Sequence, residues 1–134
     1  MPHIIVEYSA NLEDAVDIAA LVGEIHQAAI STGELPPAGT RTRAARRDIY
    51  AIADQHPDNV FLNIKLMIGE GRDVETRHKA GAKIFDAASD YLDKESPGLP
   101  LALSLNIWEI NKETSFKKNN LHEIIAARTE GTAE

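Results

Sequence analysis

The residue best placed to do chemistry is Pro2, directly behind Met1. A residue as small as proline favours removal of the initiator methionine, and removal would leave a free secondary amine at the extreme N-terminus. An ordinary α-amino group titrates near pH ~8, and desolvation or nearby cations push that value toward neutrality. The product is a neutral base suited to proton transfer at physiological pH. The alternating run His3-Ile4-Ile5-Val6-Glu7-Tyr8 predicts a strand opened by Pro2, which would hold the amine rigidly at a sheet edge. Proline also leads strands for a purely structural reason, since no ladder donor is needed there.

The second set of candidates is cationic. Arg41, Arg43, Arg46 and Arg47 fall within seven residues of a chain whose formal net charge is −7. Such a run can be a solvated face, or it can recognise anions, because guanidinium forks grip carboxylates in a bidentate way. In an extended segment Arg41 and Arg43 point to one face and Arg46 to the other, so not all four serve one site. Arg72 stands at the start of a predicted helix, where the dipole disfavours a cation, and that placement invites a functional explanation. The five histidines are scattered, with no i, i+4 pair and no acidic partner at ligand spacing, so no metal site is expected. No glycine-rich phosphate loop is present either.

These residues need elements to position them, and the chain reads as a scheme that runs twice. Ile4, Val6 and Tyr8 share one strand face. Asn11 is the expected cap of a helix with Ala15, Ile18, Ala19, Val22, Ile25 and Ala29 at helical spacing, stopped by Gly33. A loop with Pro36 and Pro37 leads to an extended stretch over about 39–53. The scheme restarts with Val60, Leu62, Ile64, Leu66 and Ile68 in strict alternation. Asp73 caps a second helix that presents Val74, Gly81, Ile84, Phe85, Ala88 and Leu92 on one face. Pro97, Gly98 and Pro100 end it, and Leu101, Leu103, Leu105 and Ile107 form the last long strand. A helical turn near 121–127 and a disordered tail from Thr129 are expected beyond it.

The fold class is therefore α+β: two tandem βαβ units, with parallel pairing inside each and both helices on one face of the sheet. One domain spans 1–134, with repeat halves over about 2–53 and 59–110 and an extension over 111–134. The other sheet face carries His3, Ile5, Lys65, Met67 and Trp108, too apolar for free solvent and too polar for a monomer core, so a second subunit is expected to cover it. At 134 residues, with 43% hydrophobic and 26% charged residues and no cysteine, the composition is that of a globular domain without disulfides or thiolate zinc. No apolar run nears the ~20 residues that span a bilayer, and no basic-then-apolar leader is visible. Cytoplasmic residence is expected, and the acidic balance argues against nucleic acid as a partner.

Five segments carry a family resemblance: Met1-Pro2-His3-Ile4-Ile5-Val6-Glu7, Pro37-Ala38-Gly39-Thr40-Arg41-Thr42-Arg43, Gly69-Glu70-Gly71-Arg72-Asp73, Ala102-Leu103-Ser104 and Phe116-Lys117-Lys118-Asn119-Asn120-Leu121-His122. In this order they resemble the 5-carboxymethyl-2-hydroxymuconate delta-isomerase family of the tautomerase superfamily, nearly throughout the chain to about Ile125. The second unit alone also looks like 4-oxalocrotonate tautomerase. The resemblance implies a homotrimer of doubled βαβ subunits that uses no cofactor or metal. It implies an amino-terminal proline, Pro2, that shuttles a proton between two carbons of a conjugated enol acid, with Arg41 and Arg72 binding carboxylates. The implied substrate is 5-carboxymethyl-2-hydroxymuconate, from homoprotocatechuate breakdown. Arg43 is an alternative to Arg41, Phe116 is a candidate pocket wall and Asn119 a candidate substrate-orienting group. Another enol or keto acid such as phenylpyruvate, and a non-catalytic oligomeric scaffold, are the competing expectations.

Overall fold

The alternating strands pair into one four-stranded sheet of order β2-β1-β3-β4, seen in a computed structural model that describes residues 1–133. The strands are β1 (His3–Ser9), β2 (Arg41–Arg47), β3 (Val60–Gly69) and β4 (Leu101–Ile110). Helix α1 (Ile18–Ser31) links β1 to β2, and α2 (Val74–Glu95) links β3 to β4. Both linked pairs are parallel, while the central pair β1/β3 is antiparallel. A parallel neighbour requires a crossover, and a helix is the usual one. The α+β class with two βαβ units is the observed architecture.

Period-two patterning decides which sheet face is covered. Ile4, Val6 and Tyr8 of β1 and Leu62, Ile64, Leu66 and Ile68 of β3 are buried against Leu21, Ile25 and Ala29 of α1 and Ile84, Ala88 and Leu92 of α2. The helices lie side by side, with Lys83 Nζ donating to Ser31 O at 3.2 Å and Tyr91 OH to Asp17 O at 3.4 Å. Where α2 approaches β4, Gly81 is required sterically: a Cβ there would lie 2.8 Å from Ile107 Cδ1. On the opposite face His3, Ile5, Lys65 and Met67 are half-buried and Trp108 is exposed, with Lys65 Nζ 4.9 Å from the Trp108 ring centroid.

Several local expectations are corrected. Asn11 does not cap α1; it lies in a 3-10 turn over Ala10–Asp14 and donates to Pro57 O and Asn59 O. The cap is Asp17, whose carboxylate accepts from Ala20 N at 3.2 Å. Leu12, inside the 3-10 turn, is fully buried, so its burial competes with an earlier helix start. Ala19 is exposed and Leu21 takes its place on the inner face. Val74 is exposed as well, because the inner face of α2 begins only at Ala80. Asp73 caps α2 as expected, accepting from Thr76 N at 2.8 Å. The extended stretch narrows to Arg41–Arg47, and the chain then bends through Ala53 and Gln55, both at positive φ. The C-terminal segment is longer than one turn and not disordered over Thr129–Ala133: helix α3 spans Leu121–Ala133. Glu134, the end of the expected tail, lies outside the described residues.

Candidate active site

Topology brings the candidate residues to one end of the sheet. Parallel β1/β2 pairing sets the starts of both strands together, with His3 opposite Arg41. Antiparallel β1/β3 pairing sets the end of β3 beside the start of β1, with Met67 opposite His3. The β3–α2 turn that carries Arg72 therefore leaves the sheet at the end where Pro2 enters it. Parallel β3/β4 pairing, with Gly69 opposite Ile110, brings residues 111–120 to the same end.

Pro2 is buried at the head of β1, where its ring lies against Gly39. The loop before β2 turns on Pro36 O, which accepts from Gly39 N, Thr40 N and Thr40 Oγ1 at 3.0, 3.1 and 2.9 Å. That turn aims Arg41 back at the N-terminus. Arg41 Nε donates to Gly39 O at 3.1 Å, and its Nη2 lies 3.2 Å from Met1 O, 3.3 Å from Pro2 O and 3.1 Å from His3 Nε2. Arg72 Nη1 donates to Gly69 O at 3.2 Å and its Nη2 to Glu34 O at 2.9 Å, tying the two crossover loops together. Asn119 Nδ2 donates to Ala38 O at 2.9 Å and lies 3.3 Å from Met1 Sδ, which fastens the C-terminal segment over the same end.

The electrostatics follow from this crowding. Burial, then the cations Lys117, Arg41 and Arg72, hold the Met1 amine below its ordinary value of 8.0. Burial, then Arg41, Arg43 and the terminal amine, hold His3 below its ordinary 6.5. An amine and an imidazole whose charged forms are both disfavoured thus sit among fixed cations, an arrangement that favours anions and stabilises negative charge developing nearby. Among the described residues no three His, Asp or Glu side chains converge as metal ligands would.

The arginine cluster divides by strand parity for Arg46 and by position along β2 for Arg47. Arg41 and Arg43 share the face of His3. Arg46 instead pairs with Glu13 at 3.3 Å and Asp48 at 3.0 Å, and Arg47 pairs with Glu7 at 2.7 Å. These exposed pairs are worth about 0–1 kcal/mol each. Pro2, Arg41, Arg72 and Asn119 are brought together. Arg43 reaches the group only through His3, its Nη2 lying 3.1 Å from Nδ1. Phe116 is 95% exposed and forms no wall within the single chain. Sequence reasoning missed two members, His3 and Lys117. The cluster Lys117-Lys118 was visible in the last matching segment, but that it faces the amine depends on the β3/β4 register. Grooves of about 380 Å³ beside Asn11 and Pro100 and about 420 Å³ between α2 and β4 contain none of these residues.

Comparison with known proteins now bears on this geometry. The family model described as 5-carboxymethyl-2-hydroxymuconate isomerase matches residues 2–125. The chain belongs to that family. A 5-carboxymethyl-2-hydroxymuconate Delta-isomerase of Escherichia coli is 34% identical over 124 residues, covering 92% of this chain and 98% of the relative. The crystal structure of a 5-carboxymethyl-2-hydroxymuconate isomerase from Deinococcus radiodurans R1 superposes with a TM-score of 0.83 at 32% identity, over 92% of this chain and 93% of the other. A native fused 4-OT shares the fold, with a TM-score of 0.67 at 14% identity, over 92% and 98% of the two chains. Family membership makes the chain an isomerase, built on a fold that the fused 4-OT shares. No helix of the described residues is long and apolar enough to cross a membrane.

Proposed function

We propose that the chain isomerises 5-carboxymethyl-2-hydroxymuconate in homoprotocatechuate breakdown without a cofactor, using the amine of Pro2 as acid–base once Met1 is removed. The observation that carries this reading is the convergence of Pro2, Arg41 and Arg72 at one sheet end, around a terminal amine held below its ordinary pKa by burial and by those cations. Met1 is a single residue beyond Pro2, so its loss would leave the proline nitrogen facing the same charges. The uncharged amine takes a proton from one position of the conjugated enol system, the double bonds shift along the chain, and the proton returns at a carbon further on. Atoms and charge balance, because the reaction is an isomerisation. The negative charge that spreads over the intermediate dienolate is what Arg41 and Arg72 stabilise. Asn119 orients the carboxylate end, and Phe116 closes the site when a neighbouring subunit packs against it.

The open sheet face, with half-buried Ile5 and Met67 and exposed Trp108, supports assembly into a homotrimer of single-domain subunits, each a doubled βαβ unit. Cytoplasmic residence fits a small-molecule catabolic enzyme. The test follows the enol absorbance of 5-carboxymethyl-2-hydroxymuconate with protein shown by intact mass to begin at Pro2. We expect rapid decay, slowed about 10²–10⁴-fold, the worth of a positioned acid–base, when Met1 is retained and the proline nitrogen stays an amide. No acceleration over buffer by the Met-free chain would overturn the reading in favour of another enol or keto acid, or of a scaffold.

A further inference from the structure

His3 is held in a donor conflict. Its Nε2 lies 3.1 Å from Arg41 Nη2 and its Nδ1 lies 3.1 Å from Arg43 Nη2. A guanidinium only donates, and a neutral imidazole has one acceptor nitrogen while the other carries a proton. One of the two arginines therefore faces a ring N–H, donor against donor. Protonating the ring makes both contacts repulsive. Among the described residues neither Arg41 nor Arg43 has a carboxylate within ion-pair distance, whereas Arg47 and Arg77 each have one and Arg46 has two. The conflict lies on the open sheet face beside Pro2, with Arg43 exposed.

A carboxylate set between the ring N–H and the Arg43 fork removes the conflict, because it is an acceptor at both oxygens and matches the guanidinium geometry. Arg41 and Arg72 provide for two carboxylates. The proposed substrate class carries three. We propose that His3 and Arg43 form a subsite for the third carboxylate, so that the site prefers a tricarboxylate over the same dienol lacking the carboxymethyl arm. His3 acts here as a binding residue whose N–H contacts the anion, with the tautomer set by Arg41 at the other nitrogen. This inference rests on the reading under Proposed function.

The experiment measures two ratios on Met-free protein: affinity for tricarballylate against glutarate by titration calorimetry, and KM for 5-carboxymethyl-2-hydroxymuconate against 2-hydroxymuconate. Wild type is expected to favour each tricarboxylate by about tenfold or more, the worth of one charge-assisted hydrogen bond. Arg43→Gln and His3→Leu should collapse both ratios toward unity, while His3→Gln, whose amide can accept from Arg41 and donate outward, restores most of the preference. Arg43 is exposed, so its variant tests the idea without a folding defect. Ratios that survive in Arg43→Gln and His3→Leu, or a wild type that binds neither probe or both equally, would overturn the subsite. A wild type that discriminates the probes but turns over neither dienol would sink the proposed reaction and leave the subsite standing.

Discussion

Replacing Arg41 by alanine tests the charge arrangement and the scaffold together, because one side chain serves both. Its Nε bond to Gly39 O holds the loop before β2, and its Nη2 bond to Pro2 O holds the head of β1. The Met1 O contact disappears with Met1, so two charged-donor bonds to backbone carbonyls remain to be lost beside the contact with His3 Nε2. Such bonds are worth about 1.5–3 kcal/mol each when desolvated. Arg41 is half-exposed, which puts the pair nearer 2 kcal/mol in total, or a fall in Tm of about 6–8 °C for a domain of this size. The loss in kcat/KM should be larger, about 10²–10³-fold, as when one preorganised donor to a developing oxyanion is removed. Arg41→Lys separates charge from shape: the ammonium keeps the cation but cannot span Gly39 O and Pro2 O at once. It should recover part of the activity and little of the Tm. The alanine variant should also shift the acid limb of the kcat/KM profile to higher pH, because a cation that lowers the amine pKa has gone. The assay is decay of the enol band from pH 5 to 9 on protein proven by mass to start at Pro2. An Arg41→Ala enzyme within about threefold of wild type, with an unmoved acid limb, would refute the reasoning.

Two further outcomes follow from packing and linkage. Gly81→Ala gains about 1 kcal/mol of helix propensity but forces its Cβ to 2.8 Å from Ile107 Cδ1, an overpacking of about 1–3 kcal/mol. Ile107→Val deletes that carbon, so denaturant titration of the four-member cycle should show a favourable coupling of about 1 kcal/mol, and additive values would sink the close-approach argument. His3 has a folded pKa below the ordinary 6.5, through burial and then Arg41, Arg43 and the terminal amine; Met67, opposite it on β3, carries no charge. Below pH 6.5 the unfolded chain then binds more protons than the folded one, so stability is full above that pH and falls as pH drops toward the folded pKa. His3→Gln should flatten this part of the Tm profile between pH 7.5 and 5, and an unchanged profile would count against it.

Legibility in the sequence tracked how local each cause is. The strict alternation of Val60–Ile68 and the Asp73 cap need only neighbours along the chain, and both elements stand where patterning puts them. The α1 cap failed because Leu12 gains more from burial in a 3-10 turn than from an earlier helix start. The end of β2 failed because an edge strand of arginines and alanines has no apolar alternation to mark where it stops. The polar tail read as disordered, yet it continues α3 to Ala133. Pro2 stood out as the residue behind Met1 and Arg72 as a helix-start cation, since both oddities show in the chain itself, and the structure places them at one sheet end. His3 and Lys117 were not, because each matters only through neighbours supplied by strand register.

The division of charge explains how an acidic chain can bind an acidic substrate. The formal net charge is −7, which at long range repels a polycarboxylate. In physiological salt the Debye length is about 8 Å, so distant carboxylates are screened and the nearest groups decide. Those nearest groups are Arg41, Arg72 and Lys117, collected from three separate segments by one parallel, one antiparallel and one further parallel pairing. Strand parity turns Arg46 to the other face, where it pairs with Glu13, while Arg47, on the face of Arg41 and Arg43 but at the far end of β2, pairs with Glu7 away from Pro2. The same pairings that complete the sheet thus gather Arg41, Arg72 and Lys117 at the end where the amine sits. A substitution that shifted β2 by one residue would bury arginines against α1 and disperse that charge, so the register of β2 is as much a part of the site as any side chain in it.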